Sequence, residues 1–307
     1  MYPPEQPEIC KKFTGRVVEY DFTPDFKVTQ EMKDVFNYDG GFLVRGILNQ
    51  EEVAYIDDAL KQNTEVMKQA FVCDDGKVRS TKLLLWSHPG NDITGMVSRS
   101  EKVAGTCEAL LGGEVYHYHT KLMMKEAKTG GAHLWHQDYG YWYNNGCLKP
   151  DMMTAFIAMD KCVKANGCLQ VVKGTNRCGR IEHGMSHGQM TANQERVDYL
   201  CKHFEHVYCE MNPGDCLFFH SNVLHTSAAN DSDMRRWAFL CAYNRRDNDP
   251  VIAHHHPNYT PLEKVPNSAV LECKNIFDWS GKDIMDPNND KTTSQSDKDM
   301  LKKTGYH

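Results

Sequence analysis

The sequence predicts a mostly β fold of jelly-roll type with flanking helices. Three observations carry that prediction. From residue 114 onward short β-rich runs follow one another, at 115–124, 153–159, 168–172, 206–211, 215–219 and 237–243. Turn signals separate them: Thr129-Gly-Gly, Asn144-Asn-Gly, Asn166-Gly and Asn212-Pro-Gly-Asp. Parallel βαβ alternation is nowhere visible, so the strands read as a sandwich or barrel.

The elements follow in order. Residues 1–28 are rich in Pro and charge and are expected to form an irregular N-terminal arm. A single domain is expected over 29–282, with a helical part at 29–113 and a jelly-roll core at 114–260. A polar, mobile tail is expected over 283–307. The helical pattern starts at Thr29 and meets Asp39-Gly40-Gly41, a turn signal, before the apolar run Phe42-Leu-Val44. Asn49 caps a second helix, with Glu52 at the capping-box position and Val53, Ile56 and Leu60 on one apolar face. Residues 98–111 read as a third helix stopped by Gly112-Gly113, and 193–204 as a helical insertion among the strands.

Composition narrows the function. A net charge of -6 argues against a protein that neutralises nucleic-acid phosphates. No apolar run approaches the roughly 20 residues that span a bilayer. The start of the chain has no basic segment followed by an apolar one, and its 12 cysteines form no C-x-x-C pair. A cytoplasmic protein with reduced thiols is therefore expected. The expected partner is a small-molecule substrate, with neither nucleic acid nor membrane, and oligomeric state has no signature here.

The chemistry concentrates in a few places. In Leu134-Trp135-His136-Gln137-Asp138, strand alternation would put His136 and Asp138 on one face, able to meet one ion. Downstream, Pro213-Gly-Asp215 turns into an apolar strand and His225 follows in Leu224-His-Thr-Ser227. Two His and one carboxylate at a jelly-roll mouth make the facial triad of a non-haem Fe(II) oxygenase. Eleven residues after His225 comes Arg236, whose planar fork would bind the far end of a dicarboxylate, with Ser227 donating to the same group. Its neighbour Arg235 reads as solvated.

These residues resemble a known family. His136-Gln-Asp138, Asn166-Gly-Cys-Leu169, Pro213-Gly-Asp215, His225-x-Ser227 and Arg236 look like the phytanoyl-CoA dioxygenase family of Fe(II)/2-oxoglutarate oxygenases, over about residues 30–260. The resemblance implies a double-stranded β-helix, cupin-like in shape. It implies iron on His136, Asp138 and His225, and 2-oxoglutarate on Arg236 and Ser227. The strand Tyr118-His119-Thr120-Lys121 should line the pocket, with Lys121 or Thr120 reaching co-substrate or substrate. O₂ is the oxidant and ascorbate an expected stimulant. Two departures stand out: Lys173-Gly-Thr-Asn176 where the family usually reads P-G-[ST]-H, and Met123 where ectoine hydroxylase, a member, has Asn near the co-substrate.

After Asp138 comes Tyr139-Gly-Tyr141-Trp142-Tyr143. Trp142 matches a substrate-contacting Trp of ectoine hydroxylase. The four rings suggest a cage for a cationic or zwitterionic substrate. The resemblance thus implies hydroxylation of an unactivated C–H in a small polar, zwitterionic or quaternary-ammonium metabolite. An acidic residue in the triad favours hydroxylation over halogenation. An acyl-CoA hydroxylase and a metal-binding cupin without turnover are the alternatives. His254-His-His256 reads as a loop. Gly184-Met-Ser186-His-Gly188 matches G-x-S-x-G but follows a polar, Gly-broken segment instead of the apolar strand a hydrolase elbow needs.

Overall fold

Glycine at position 40 marks the first place where local sequence and architecture meet. Thr29 accepts from the Met32 N–H and starts α1 (Gln30–Asp39), and Gly40, at φ 89°, ends it by donating its N–H to the Phe36 carbonyl. The computed structural model describes residues 14–276 and 278–285. Residues 1–13 of the expected arm and 286–307 of the expected tail lie outside the described residues. In chain order come β1 (Glu19–Asp21), α1, β2 (Gly41–Arg45), α2 (Gln50–Gln62), α3 (Thr64–Met67), β3 (Phe71–Asp74), β4 (Ser80–Trp86), α4 (Ile93–Arg99) and α5 (Thr106–Leu111). Then follow β5 (Val115–Lys125), β6 (His133–His136), α6 (Asp138–Trp142), β7 (Met152–Ala158), β8 (Leu169–Val172), β9 (His183–Ser186) and β10 (Gln189–Ala192). The chain continues through α7 (Gln194–His203), β11 (His206–Cys209), β12 (Cys216–His220), β13 (Leu224–Ser227), β14 (Arg236–Arg245) and α8 (Ala269–Glu272).

Two sheets form the jelly roll. The larger has eight strands in the order β1-β2-β12-β7-β14-β5-β4-β3, and the smaller has four in the order β11-β8-β13-β6. Side chains on the facing surfaces, such as Met123, Phe156, Val171, Phe219 and Leu240, pack between them. The opposite face of the large sheet carries Leu122, Ile157, Phe218 and Phe239, which bury against Phe36, Ile56 and Leu110 of the helices. The strands of the large sheet are thus apolar on both faces, which is why they read as near-continuous hydrophobic runs.

Several expectations need correction. The N-terminal arm is not irregular throughout: Glu19–Asp21 pairs in parallel with Leu43–Arg45, and Arg45 grips Glu19 through Nε at 3.0 Å and Nη2 at 2.8 Å. The part expected to be helical contributes β2, β3 and β4 to the large sheet. The Leu-rich β4 fits either period by composition, and burial between β3 and β5 decides it. The third helix begins earlier, at Ile93, and is broken by a π turn over Glu101–Gly105. The start of the expected tail is anchored, since Ile284 bridges Trp86 and the Met285 N–H donates to the Leu85 carbonyl at 2.9 Å.

Gly40 and Gly112 test the packing. Both have left-handed φ, but a Cβ on Gly112 meets open space, whereas one on Gly40 would lie 2.4 Å from Val223 Cγ2 and 2.8 Å from Asn176 Oδ1. Gly112→Ala should cost about 1 kcal/mol from backbone strain alone. Gly40→Ala should cost roughly 2–4 kcal/mol because overpacking adds to that strain. Urea unfolding midpoints check the ranking, and equal losses would contradict it.

Candidate metal centre

The three candidate ligands come from two strands and a helix start. β13 pairs antiparallel with β6 so that His225 stands directly opposite His136, with ring centroids 4.1 Å apart. β6 ends at His136, and Asp138 is the first residue of α6. The carboxylate therefore reaches the histidines through a strand-to-helix turn, not through the strand alternation expected from sequence. Asp138 Oδ1 lies 3.7 Å from His136 Nε2 and 3.8 Å from His225 Nε2. All three ligand atoms lie within 4.8 Å of one another.

Hydrogen bonds fix how each ligand presents itself. His136 Nδ1 lies 2.7 Å from the Leu134 carbonyl and His225 Nδ1 2.9 Å from the Val223 carbonyl. Each Nδ1 must carry the proton, because a carbonyl only accepts, and each Nε2 lone pair is left for a metal. Asp138 accepts from Thr154 Oγ1 at 2.9 Å on Oδ2 and from the Tyr141 hydroxyl at 3.0 Å on Oδ1. Burial, then the neighbouring His225 and His133, pushes the His136 pKa well below its usual value, so the neutral ligand form is favoured.

Behind the triad the intervening Gln137 locks the turn. Its side chain donates to the Gly179 and Asn222 carbonyls at 2.9 and 2.7 Å and accepts from the Ile181 N–H at 2.7 Å. Its own N–H donates to His183 Nε2 at 2.9 Å. A Cβ on Gly140 would sit 2.1 Å from the His183 ring, so only glycine fits there.

One end of the inner face is built for an acid. Along the β14–β5 ladder Arg236 pairs with Lys125, Ala238 with Met123, Leu240 with Lys121 and Ala242 with His119. Arg236 is fully buried. It donates to the Gly167 carbonyl at 2.9 Å and contacts Met123 Sδ at 3.4 Å, while its Nε has no partner among the described residues. That explains the Asn166-Gly167 motif: Gly167 turns its carbonyl onto the arginine. Lys125, missed in the sequence, is equally buried and donates to Ser227 Oγ at 2.8 Å and to the Ala228 carbonyl. Ser227 Oγ thus accepts from Lys125 and keeps its own proton to donate. Lys125 lies on the same strand face as Lys121, four residues on, and period 2 alone could have found it. Burial lowers the pKa of both cations, with Arg236 the next cause at Lys125. A buried cation without a carboxylate is costly, and a dicarboxylate entering here would relieve that cost. The donor set therefore fits iron and 2-oxoglutarate.

The remaining sequence candidates divide. Thr120 faces away from the site: its hydroxyl meets His117 Nε2 at 2.7 Å on the helix-covered side, where alternation puts it. Lys121 faces inward, and its charge is felt at His119, His136, His225 and His256. The expected four-ring cage does not assemble, because α6 replaces the assumed strand. Tyr141 turns to the metal side, its ring 6.3 Å from that of His136. Trp142 packs edge-on against Tyr118 and His119 at 5.4 and 5.5 Å. Tyr139 buries with Cys147 and Met152, and Tyr143 is exposed under the Arg180 guanidinium. Arg235, expected in solvent, instead bonds to Asp57 at 2.6 Å and Asp160 at 3.1 Å.

Two other features resolve by geometry. Ser186 sits in the hairpin of β9 and β10, whose turn residues His187 and Gly188 have φ 50° and 75°, so no strand-to-helix elbow exists there. The hairpin borders a surface cleft of about 980 Å³ that includes Trp135 and Thr226 but none of the triad. His254, His255 and His256 lie in a loop and also bring their ring nitrogens within 4.8 Å, without a carboxylate.

The comparisons with known proteins agree with this geometry. A family model described as phytanoyl-CoA dioxygenase matches residues 36–238. L-proline trans-4-hydroxylase of Streptomyces griseoviridis is 27% identical over 244 residues, covering 74% of this chain and 89% of that protein. Ectoine dioxygenase of Stutzerimonas stutzeri is 23% identical over 272 residues, covering 78% and 88%. The crystal structure of EctD from S. alaskensis with bound Fe aligns at TM-score 0.66 with 18% identity, covering 81% of this chain and 92% of that one. The same protein with 2-oxoglutarate and 5-hydroxyectoine aligns at 0.64 with 18% identity, covering 80% and 90%.

Two predictions follow from the supporting bonds. Thr154→Val removes a donor to Asp138 and should weaken metal binding about 10–100-fold, the usual range for such outer contacts. Calorimetric titration with Mn(II) reads this, and unchanged affinity would contradict it. Arg236→Lys loses the bidentate fork and should raise the apparent KM for 2-oxoglutarate about tenfold or more. Arg235→Lys should leave that KM near wild type, and the reverse ranking would contradict the placement.

Proposed function

The chain belongs to the phytanoyl-CoA dioxygenase family, and from that premise we propose that it is an Fe(II)- and 2-oxoglutarate-dependent hydroxylase of a small polar or zwitterionic metabolite. His136, Asp138 and His225 would hold the iron, and Arg236 with Ser227 the far carboxylate of 2-oxoglutarate. The single observation that carries the reading is Arg236, fully buried next to Lys125 with its Nε unpartnered among the described residues. Bound iron with 2-oxoglutarate and O₂ supplies the oxidising power that hydroxylates an unactivated C–H, giving succinate and CO₂.

The chain's own residues do the positioning. The carbonyls of Leu134 and Val223 hold each imidazole in one tautomer. Thr154 and Tyr141 orient the Asp138 carboxylate. The Gln137 and His183 contacts keep the turn from moving. Trp142, Tyr118 and His119 pack edge-on into an aromatic cluster that would keep water from that side. Size and polarity of the substrate are supported by the relatives: one is an L-proline hydroxylase and another an ectoine dioxygenase. The acidic net charge of -6 disfavours the phosphates of an acyl-CoA.

The test is a coupled assay. Purified protein with Fe(II), 2-oxoglutarate and ascorbate should form succinate, faster when a panel of amino acids, zwitterions and acyl-CoA thioesters includes the substrate. His136→Ala and His225→Ala should each abolish iron retention and succinate formation while the unfolding transition persists. A double variant that still consumes 2-oxoglutarate at the wild-type rate would falsify the iron assignment. Turnover of acyl-CoA thioesters alone would overturn the substrate class and leave the oxygenase standing.

A further inference from the structure

A bulge in β5 sets up a second recognition surface. The β14 ladder pairs Ala242 with His119 and then Tyr243 with His117, so Tyr118 is the extra residue. Such a bulge re-aims side chains. Tyr118 and His119 accordingly both reach His256, at 4.5 and 4.7 Å between centroids, while His117 turns to the other face and meets the Ser87 carbonyl at 3.0 Å. His119 lies two residues beyond Lys121 on the inner face, so by the strand rise it sits roughly 7 Å farther from Arg236. It thus lies farther along the inner face from the proposed 2-oxoglutarate anchor than Lys121 does.

The two histidines there are unusual. His119 and His256 are buried, and their rings stack at 4.7 Å with an interplanar angle of 21°. Among the described residues both Nδ1 atoms are enclosed without a hydrogen-bond partner, and the Trp142 Nε1 is likewise enclosed and unpartnered. Buried polar groups are hydrogen-bonded in the great majority of cases, so an unpartnered pair asks for a ligand. The groups whose charge is felt at these rings are Lys121, His117, His254 and His255, and none is a carboxylate. Lys121 itself makes no hydrogen bond or ion pair among the described residues. Among the described residues the wall therefore offers the indole N–H, two imidazole nitrogens able to donate and the charge of Lys121, but no anion.

We propose that His119, His256 and Lys121 bind an oxyanion of the prime substrate, a carboxylate or a phosphonate, and so hold its other end toward the triad. The proposal rests on the oxygenase reading above and narrows it. It also disfavours a simple quaternary ammonium, which Lys121 would repel and which the exposed Tyr143 would not help to cage. Burial, then Lys121, keeps His119 neutral in the free protein, and an oxyanion would be the group that draws a proton or N–H toward it.

Matched probes test this on protein loaded with Mn(II) and 2-oxoglutarate. Glycine betaine is compared with choline, L-proline with L-prolinamide, and 2-aminoethylphosphonate with ethanolamine, by calorimetric titration. At least one acid should bind about tenfold tighter than its partner, as expected for a charged hydrogen-bonded contact. The carboxylate and phosphonate arms show which oxyanion fits. His256→Leu and His119→Gln, each checked for a cooperative unfolding transition, should shrink that preference to less than about threefold. Equal binding of choline and betaine types, no acid binding at millimolar concentration, or a preference untouched by both variants overturns the proposal. Uptake of two Zn(II) per chain, cut to one by His256→Leu, would assign the 254–256 turn to a metal and overturn it too. If wild type fails to bind 2-oxoglutarate at all, the oxygenase reading falls first. Retained 2-oxoglutarate binding without an acid preference sinks this inference alone.

Discussion

The pairing of β13 with β6 is the constraint on which the site depends. It sets His225 directly across from His136, bringing together residues far apart in the chain. A slip of one residue would turn each strand's side chains to the other face and dissolve the triad. The same register puts Ser227 beside Lys125 and thereby beside Arg236. β13 also pairs on its other edge with β8, from Leu224 against Val172 to Ser227 against Leu169, so the strand carrying His225 is held from both sides.

Electrostatics give the interior a direction. At one end Arg236 and Lys125 are buried with carbonyl, hydroxyl and thioether partners but no carboxylate. Across from it, on the β6–β13 pair and the start of α6, the three ligand atoms cluster. Farther along β5 from Arg236 come Lys121 and then His119, which stacks on His256. Elsewhere buried cations are neutralised within the chain: Lys102 bonds to both oxygens of Glu52, and Lys282 pairs with Asp92 at 3.0 Å. The contrast is informative, because unpaired buried charge costs stability and persists where function requires it.

Much of this was legible in sequence, and the gaps have physical causes. The Asn49–Glu52 capping box is present, each partner bonding the other's backbone N–H at 2.9 and 2.8 Å. Gly112 ends α5 as its position suggested. The separation of Arg236 from Arg235 was readable from the strand that follows. Three things were not. The Leu-rich β4 has no clean period because both of its faces are covered. The Tyr139–Tyr143 segment looks strand-like by composition, but Asp138 opens a helix, so its rings diverge by helical spacing. His119 and His256 are brought together by a bulge and a distant loop, which no local pattern announces. Thr120, by contrast, could have been rejected from period alone, since Lys121 next to it faces inward.

The central claim is that one site joins iron and 2-oxoglutarate. The most direct measurement is an anaerobic titration of 2-oxoglutarate into the Fe(II)-loaded protein, followed by visible absorption. Chelation of Fe(II) by a 2-oxo acid produces a charge-transfer band that neither partner gives alone. The account predicts a band that saturates at roughly one equivalent per iron and is absent from Asp138→Ala. Iron that binds without any band, or a band undiminished in Asp138→Ala, would contradict it.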